Sequence, residues 1–159
     1  MKKKDVYVVE DEGITAAQVR SHLRKLGFRS SFVTPSGREA VDQVTKNPPD
    51  LVLMDINLKG PLDGIEATEA IHEATDVPVI YLTAYGDQQT ISRARESGAE
   101  AVILKPIDRQ DLGEVLRQVL QDEDVPLDRF NGEIFLEWVR SLLGKFLGDP
   151  HCPYGIRGL

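Results

Sequence analysis

Glu10, Asp11, Asp55, Thr83 and Lys105 each stand at the exit of a short apolar run. Val6-Tyr7-Val8-Val9 leads into Glu10-Asp11, and Leu51-Val52-Leu53-Met54 leads into Asp55. Val79-Ile80-Tyr81-Leu82 leads into Thr83, and Ala101-Val102-Ile103-Leu104 into Lys105. Three carboxylates brought together repel one another unless a cation joins them. An all-oxygen donor set without His or Cys selects a hard ion, Mg2+ above all. One Mg2+ leaves a single net negative charge on three carboxylates, which Lys105 cancels, so the site is poised for an anion. Asp55 could attack phosphorus, as in aspartyl-phosphate chemistry. Thr83 could donate to a phosphoryl oxygen, Lys105 could offset its charge, and the metal could bridge the attacking oxygen and the phosphoryl group. Singly, each residue has an ordinary reading: a helix cap or solvated turn for Glu10-Asp11, a turn former for Asp55, a capping hydroxyl for Thr83, a surface lysine for Lys105. Their joint position at four strand exits argues for one site.

The elements that must position them alternate. Four of the five apolar runs are continuous, as in parallel strands covered on both faces; the other is Ser31-Phe32-Val33. Between them lie helical patterns. Ile14, Ala17, Leu23 and Leu26 mark the first, stopped by Gly27. Ser36 caps the second, with Ala40, Val41 and Val44, before Pro48-Pro49. Ile65, Thr68 and Ile71 suggest a third, and Ile91 and Ala94 a fourth that stops at Gly98. Asp108 caps the fifth, with Leu112, Val115, Leu116 and Val119 at 3–4 spacing. Five strand–helix units predict an α/β, flavodoxin-like, doubly wound parallel five-stranded sheet in order 2-1-3-4-5. In that order strands one and three are neighbours, so the three carboxylates meet at one edge.

With these motifs in view, residues 5–121 resemble the receiver domain of bacterial and archaeal two-component response regulators. The matching pieces are Val8-Val9-Glu10-Asp11-Glu12, Leu51 to Asn57, Asp63-Gly64, Leu82-Thr83-Ala84, Gly98-Ala99 and Leu104-Lys105-Pro106. The resemblance implies that Asp55 is the phospho-acceptor, fed by a sensor histidine kinase. It implies that Asp11, Asp55 and the backbone carbonyl of Asn57 ligate Mg2+, with Glu10 acting mostly through water. It also implies that Thr83 and Lys105 bind the phosphoryl group and that Lys105-Pro106 is a cis peptide. Signal then passes to an unknown downstream protein through the face built by the fourth helix, fifth strand and fifth helix. Three positions depart from the commonest pattern. The loop Ile56 to Leu62 is one residue longer, Val102 stands where Tyr or Phe is usual, and Tyr85 is bulky beside the path of the hydrolytic water.

Composition bounds the rest. The chain has 159 residues with 41% hydrophobic and 28% charged, enough for a packed core without disulfides. A net charge of −7 argues against nucleic acid or an anionic membrane as partner. A lone Cys152 excludes an internal disulfide. The apolar run after Met1-Lys2-Lys3-Lys4 is too short for a signal peptide or membrane span, so a cytoplasmic location is expected. His22 and His72 read as ordinary boundary residues, and His151-Cys152 is too few ligands for a metal site.

The expected organisation is a receiver domain over 1–121, a linker over 122–131, an amphipathic helix over 132–148 and an irregular tail over 149–159. The segment after Gln121 is acidic on balance and too short for a DNA-binding output domain. Apolar residues between Ile134 and Leu147 cover about 220° of a helical wheel, more than one flat contact requires. That pattern predicts a homodimer through a helix containing Phe135 and Trp138. The alternative to a phosphorylated receiver is a phosphate-independent receiver-like interaction module, favoured only by Val102. A Mg2+-dependent phosphohydrolase ranks below both, because Asn57 stands where a second aspartate is usual.

Overall fold

The computed structural model describes residues 2–84 and 88–122, and the backbone alone at Gln88, Ile91 and Arg95. Tyr85 and the expected linker core, C-terminal helix and tail lie outside the described residues. Strands and helices alternate: β1 (Val6–Val9), α1 (Gly13–Lys25), β2 (Val33–Thr34), α2 (Gly37–Lys46), β3 (Leu51–Asp55), α3 (Gly64–Ala74), β4 (Val79–Thr83), α4 (Gln88–Glu96), β5 (Ala101–Leu104) and α5 (Arg109–Leu120). The five strands form one parallel sheet in the order β2-β1-β3-β4-β5, as the alternation predicts. The register pairs Val9 with Met54, Asp55 with Leu82, and Thr83 with Leu104. The carboxyl ends of β1, β3, β4 and β5 therefore finish almost level, and everything that follows them faces the same edge.

The continuous apolar runs are continuous because helices cover both faces. Every residue of β1, β3 and β4 is buried. Each fully buried Leu, Val, Ile or Met contributes roughly 1.5–3 kcal/mol of transfer free energy. That reserve lets the strand ends carry buried charge. β5 departs from the reading: Ala101, Val102 and Leu104 are only half-buried, because β5 is the edge strand. β2 also departs. It spans Val33–Thr34 rather than Ser31–Val33, because Ser31 turns away from the sheet to Asp5. The Ser31 amide donates to Asp5 Oδ1 at 3.0 Å, and the Ser31 hydroxyl donates to Asp5 Oδ2 at 2.5 Å.

Local chemistry starts and stops the helices. Ser36 Oγ accepts from the Glu39 amide at 3.2 Å, as an N-cap should. Asp63 and Glu66 close a full capping box at α3. Asp108 Oδ1 accepts from the Gln110 and Asp111 amides at the start of α5. Gly27, at φ +90°, turns the chain after α1 into a conformation that a side chain would strain. No helix among the described residues is long and apolar enough to cross a membrane.

Candidate functional site

β1 delivers Glu10 and Asp11, and its neighbour β3 delivers Asp55. One carboxylate oxygen from each lies within 4.8 Å of the others, the one such group of potential metal ligands among the described residues. Glu10 and Asp55 are each only 3% exposed, while Asp11 is half-buried at the rim. From β5, Lys105 Nζ reaches in to 2.8 Å from Glu10 Oε2 and 3.5 Å from Asp55 Oδ2. Its backbone is held by donation of the Lys105 amide to the Thr83 carbonyl at 2.7 Å. The Lys105-Pro106 peptide bond is cis, as the resemblance implies, and Pro106 is exposed.

The electrostatics follow from burial and crowding. Burial first, then the charge and hydrogen bonding of Glu10, push the Asp55 carboxyl up to about 6. Lys105 and the Asn57 amide, which donates to Asp55 Oδ1 at 3.1 Å, pull the other way without prevailing. Burial disfavours the Lys105 ammonium, but its hydrogen bond to Glu10 and the charges of Asp55 and Glu10 outweigh it, and Lys105 stays above its ordinary value. Three oxygen donors with no nitrogen or sulfur form a set suited to a hard divalent cation.

Thr83 completes the edge. Its hydroxyl is buried, the residue being 5% exposed, and it has no hydrogen-bond partner among the described residues. An orphaned buried hydroxyl costs about 1–3 kcal/mol. At the exit of β4, on the sheet edge where β1, β3 and β5 also end, such a hydroxyl is a donor and acceptor suited to an incoming polar group.

The remaining sequence candidates fall as follows. Asn57 is exposed on the loop after β3. Val102 is half-buried on β5 and packs against the core cluster that holds Tyr81. Tyr81 itself is fully buried, with its phenol 2.6 Å from Ser97 Oγ. His72 Nδ1 lies 3.0 Å from the Ser97 carbonyl, and His22 reaches the Ile107 carbonyl; neither joins the acidic cluster.

Two contributors carry no side-chain signal in the sequence. The Lys59 amide donates to Asp11 Oδ2 at 3.2 Å, folding the longer loop back onto the acidic rim. Gly64 sits so close behind Asp55 that a Cβ there would collide with the Asp55 carbonyl oxygen. The Gly64 amide donates to the Ile56 carbonyl at 2.9 Å, locking that approach. The Asp63-Gly64 motif hints at the second, but only the fold shows which backbone the glycine meets.

The fold has known counterparts. Residues 6–117 match the family model for the response regulator receiver domain. The chain belongs to the response regulator receiver domain family. It is 34% identical over 107 residues to the transcriptional regulatory protein PdtaR of Mycobacterium tuberculosis, a match covering 67% of this chain and 52% of that protein. The match thus spans about half the length of that relative. Among solved structures it resembles the signal receiver domain of a modulated diguanylate cyclase from Desulfovibrio desulfuricans, with a TM-score of 0.72 and 30% identity over 76% of this chain and 95% of that one. It also resembles the receiver domain of a sensor histidine kinase from Pseudomonas aeruginosa, with a TM-score of 0.69 and 29% identity over 76% and 100% of the two chains. That structure holds a magnesium ion coordinated in its active site cleft.

Proposed function

We propose that this chain is a phosphorylatable receiver: Asp55 accepts a phosphoryl group from the phosphohistidine of a sensor kinase in a Mg2+-dependent reaction. An Asp55 carboxylate oxygen attacks phosphorus, the P–N bond of the phosphohistidine breaks, and its electron pair returns to the imidazole of the kinase. An acyl phosphate remains on Asp55. Glu10, Asp11 and Asp55 would hold the Mg2+, with the backbone carbonyl of Asn57, and the bound ion would offset phosphoryl charge as it passes to Asp55. Lys105 meets the remaining negative charge, and the Thr83 hydroxyl donates to a phosphoryl oxygen. Asp55 needs to be ionised to attack, and at neutral pH it is, since its carboxyl is pushed only up to about 6.

The observation that supports this reading most is the convergence on one edge of three carboxylates within 4.8 Å, the Lys105 ammonium and an unpartnered Thr83 hydroxyl. A structural cluster has no use for the orphaned hydroxyl. The magnesium in the cleft of the Pseudomonas receiver supports the choice of ion. The protein is then a signalling module that turns over only its own phosphoryl group, and it passes the signal to a partner protein. A homodimer through residues 132–148 remains part of the proposal, supported by the apolar pattern around Phe135 and Trp138. Light scattering on the full chain beside residues 1–124 tests it: two monomers at tens of micromolar end the dimer reading. For the phosphoryl reaction, acetyl phosphate and Mg2+ should place one acid-stable, hydroxylamine-labile phosphoryl group on the chain. Normal single-site labelling of Asp55→Asn would end the assignment.

A further inference from the structure

Lys105 is carried by a short segment between β5 and α5 whose two ends are fixed by different means. On one side its amide donates to the Thr83 carbonyl at 2.7 Å. On the other, Asp108 caps α5. Between them Ile107 is buried, at 2% exposure. Its carbonyl oxygen meets a side chain 85 residues away in sequence, His22 of α1, with Nε2 at 3.1 Å. A carbonyl oxygen only accepts, so Nε2 carries the ring proton and donates it. His22 Nδ1 is buried and has no hydrogen-bond partner among the described residues. That fits the tautomer with its N–H at Nε2 and a lone pair at Nδ1. The other tautomer would set a lone pair against the Ile107 oxygen and strand an N–H at Nδ1 in the interior.

The helix that bears His22 starts at Gly13, immediately after Glu10-Asp11-Glu12. His22 follows nine residues later, about 13 Å along a stiff axis. One rigid element thus begins at the acidic cluster and, two and a half turns on, grips the segment that aims Lys105 at that cluster. The hydrogen bond closes a loop: β1 to α1, His22 to Ile107, Lys105 back to Glu10 and Asp55.

We propose that His22 is a positioning residue for Lys105: its Nε2–H holds the Ile107 carbonyl and so sets where the Lys105 ammonium sits against Glu10 and Asp55. The proposal rests on the phosphoryl-accepting reading only for its kinetic consequence. Without the donor, the buried Ile107 carbonyl loses this partner, and the segment shifts to find another. Phosphoryl transfer is steep in such displacements, with about 1 Å enough to cost on the order of a hundredfold.

The full chain, with His22→Leu and His22→Gln variants, tests this by two readouts. The first needs no phosphate: the NMR signals of the Lys105 ε-methylene, assigned by their loss in Lys105→Ala. They should move toward those of surface lysines in His22→Leu and return in His22→Gln, whose amide can donate to the same carbonyl. The second is the rate of acceptance from acetyl phosphate at saturating Mg2+. It should fall about tenfold or more in His22→Leu, recover in His22→Gln, and show no further fall when His22→Leu is added to Lys105→Ala. An unmoved Lys105 signal in a folded His22→Leu protein overturns the proposal, and so does an equal loss in the Lys105→Ala background. Failure of the wild-type chain to accept phosphate would overturn the functional reading instead, and the NMR result would still decide the role of His22.

Discussion

Lys105 Nζ lies 2.8 Å from Glu10 Oε2, nearer than the 3.5 Å that separates it from Asp55 Oδ2. The ammonium therefore neutralises the cluster through the carboxylate that is not the proposed acceptor. It leaves Asp55 less fully paired, so the pull of Lys105 does not offset the burial and the Glu10 charge that raise the Asp55 carboxyl. Lys105→Ala should remove a cation that competes with Mg2+ and leave a phosphoryl group unbalanced. Mg2+ affinity, followed by titration calorimetry, should be equal to wild type or tighter. Acceptance from acetyl phosphate should fall by about a hundredfold, the scale for loss of one preorganised electrostatic partner. Weaker Mg2+ binding together with normal acceptance would contradict this division of labour.

Stability should depend on pH through Asp55 in a stated direction. Its folded-state carboxyl is raised from 3.8 to about 6. A raised carboxyl favours the protonated form on folding, so its contribution is fully present below about 3.8, is lost as pH rises to about 6, and stays absent above. Metal-free Asp55→Asn should then be more stable than wild type near pH 8, by roughly 1–3 kcal/mol. The gap should close as pH falls from about 6 to 4. Asp111 and Glu114 are also raised by burial, but both proteins carry them, so they cancel in the difference. Urea unfolding at several pH values reads this directly, and a gap that widens in acid would reverse the sign. Excess Mg2+ should stabilise wild type more than the variant.

How far the chain could be read from its residues is clear element by element. β1, β3 and β4 were legible because strands covered on both faces have no polar position to interrupt the run. The carboxylates were legible because the strand order makes β1 and β3 neighbours. β2 was misplaced because Ser31 spends its hydroxyl and amide on Asp5, a pairing across 26 residues that no local pattern announces. Lys59 acts through its backbone amide, which is the same in every residue but proline. His22 looked like any boundary histidine, since its partner, the Ile107 carbonyl, has no side-chain signature at all.

Glycine positions give a paired prediction. Gly64→Ala would drive a Cβ into the Asp55 carbonyl oxygen and set it 2.9 Å from Ile56 Cα, all backbone atoms that cannot rotate aside. It should cost about 3 kcal/mol and displace the acceptor strand end. Gly13→Ala meets nothing within 4 Å at the start of α1 and should be neutral or stabilising by up to about 1 kcal/mol. Denaturant midpoints of the two variants check both, and equal midpoints would show that α3 can retreat from β3.

The buried phenol of Tyr81 should report on the join between β4 and α4. It lies 2.6 Å from Ser97 Oγ, which donates onward to the Ala94 carbonyl at 2.6 Å. Tyr81→Phe keeps the ring and loses the link, so it should cost about 1 kcal/mol. A cost near zero by thermal unfolding would mean that the phenol adds nothing to the join.

The most direct test of the central claim is intact-protein mass spectrometry after incubation with acetyl phosphate and Mg2+, followed by peptide mapping. The account predicts one added phosphoryl group, on Asp55, present with Mg2+, absent with chelator and absent in Asp55→Asn. A chain that gains no phosphoryl group under these conditions, or gains it on a residue other than Asp55, would contradict it.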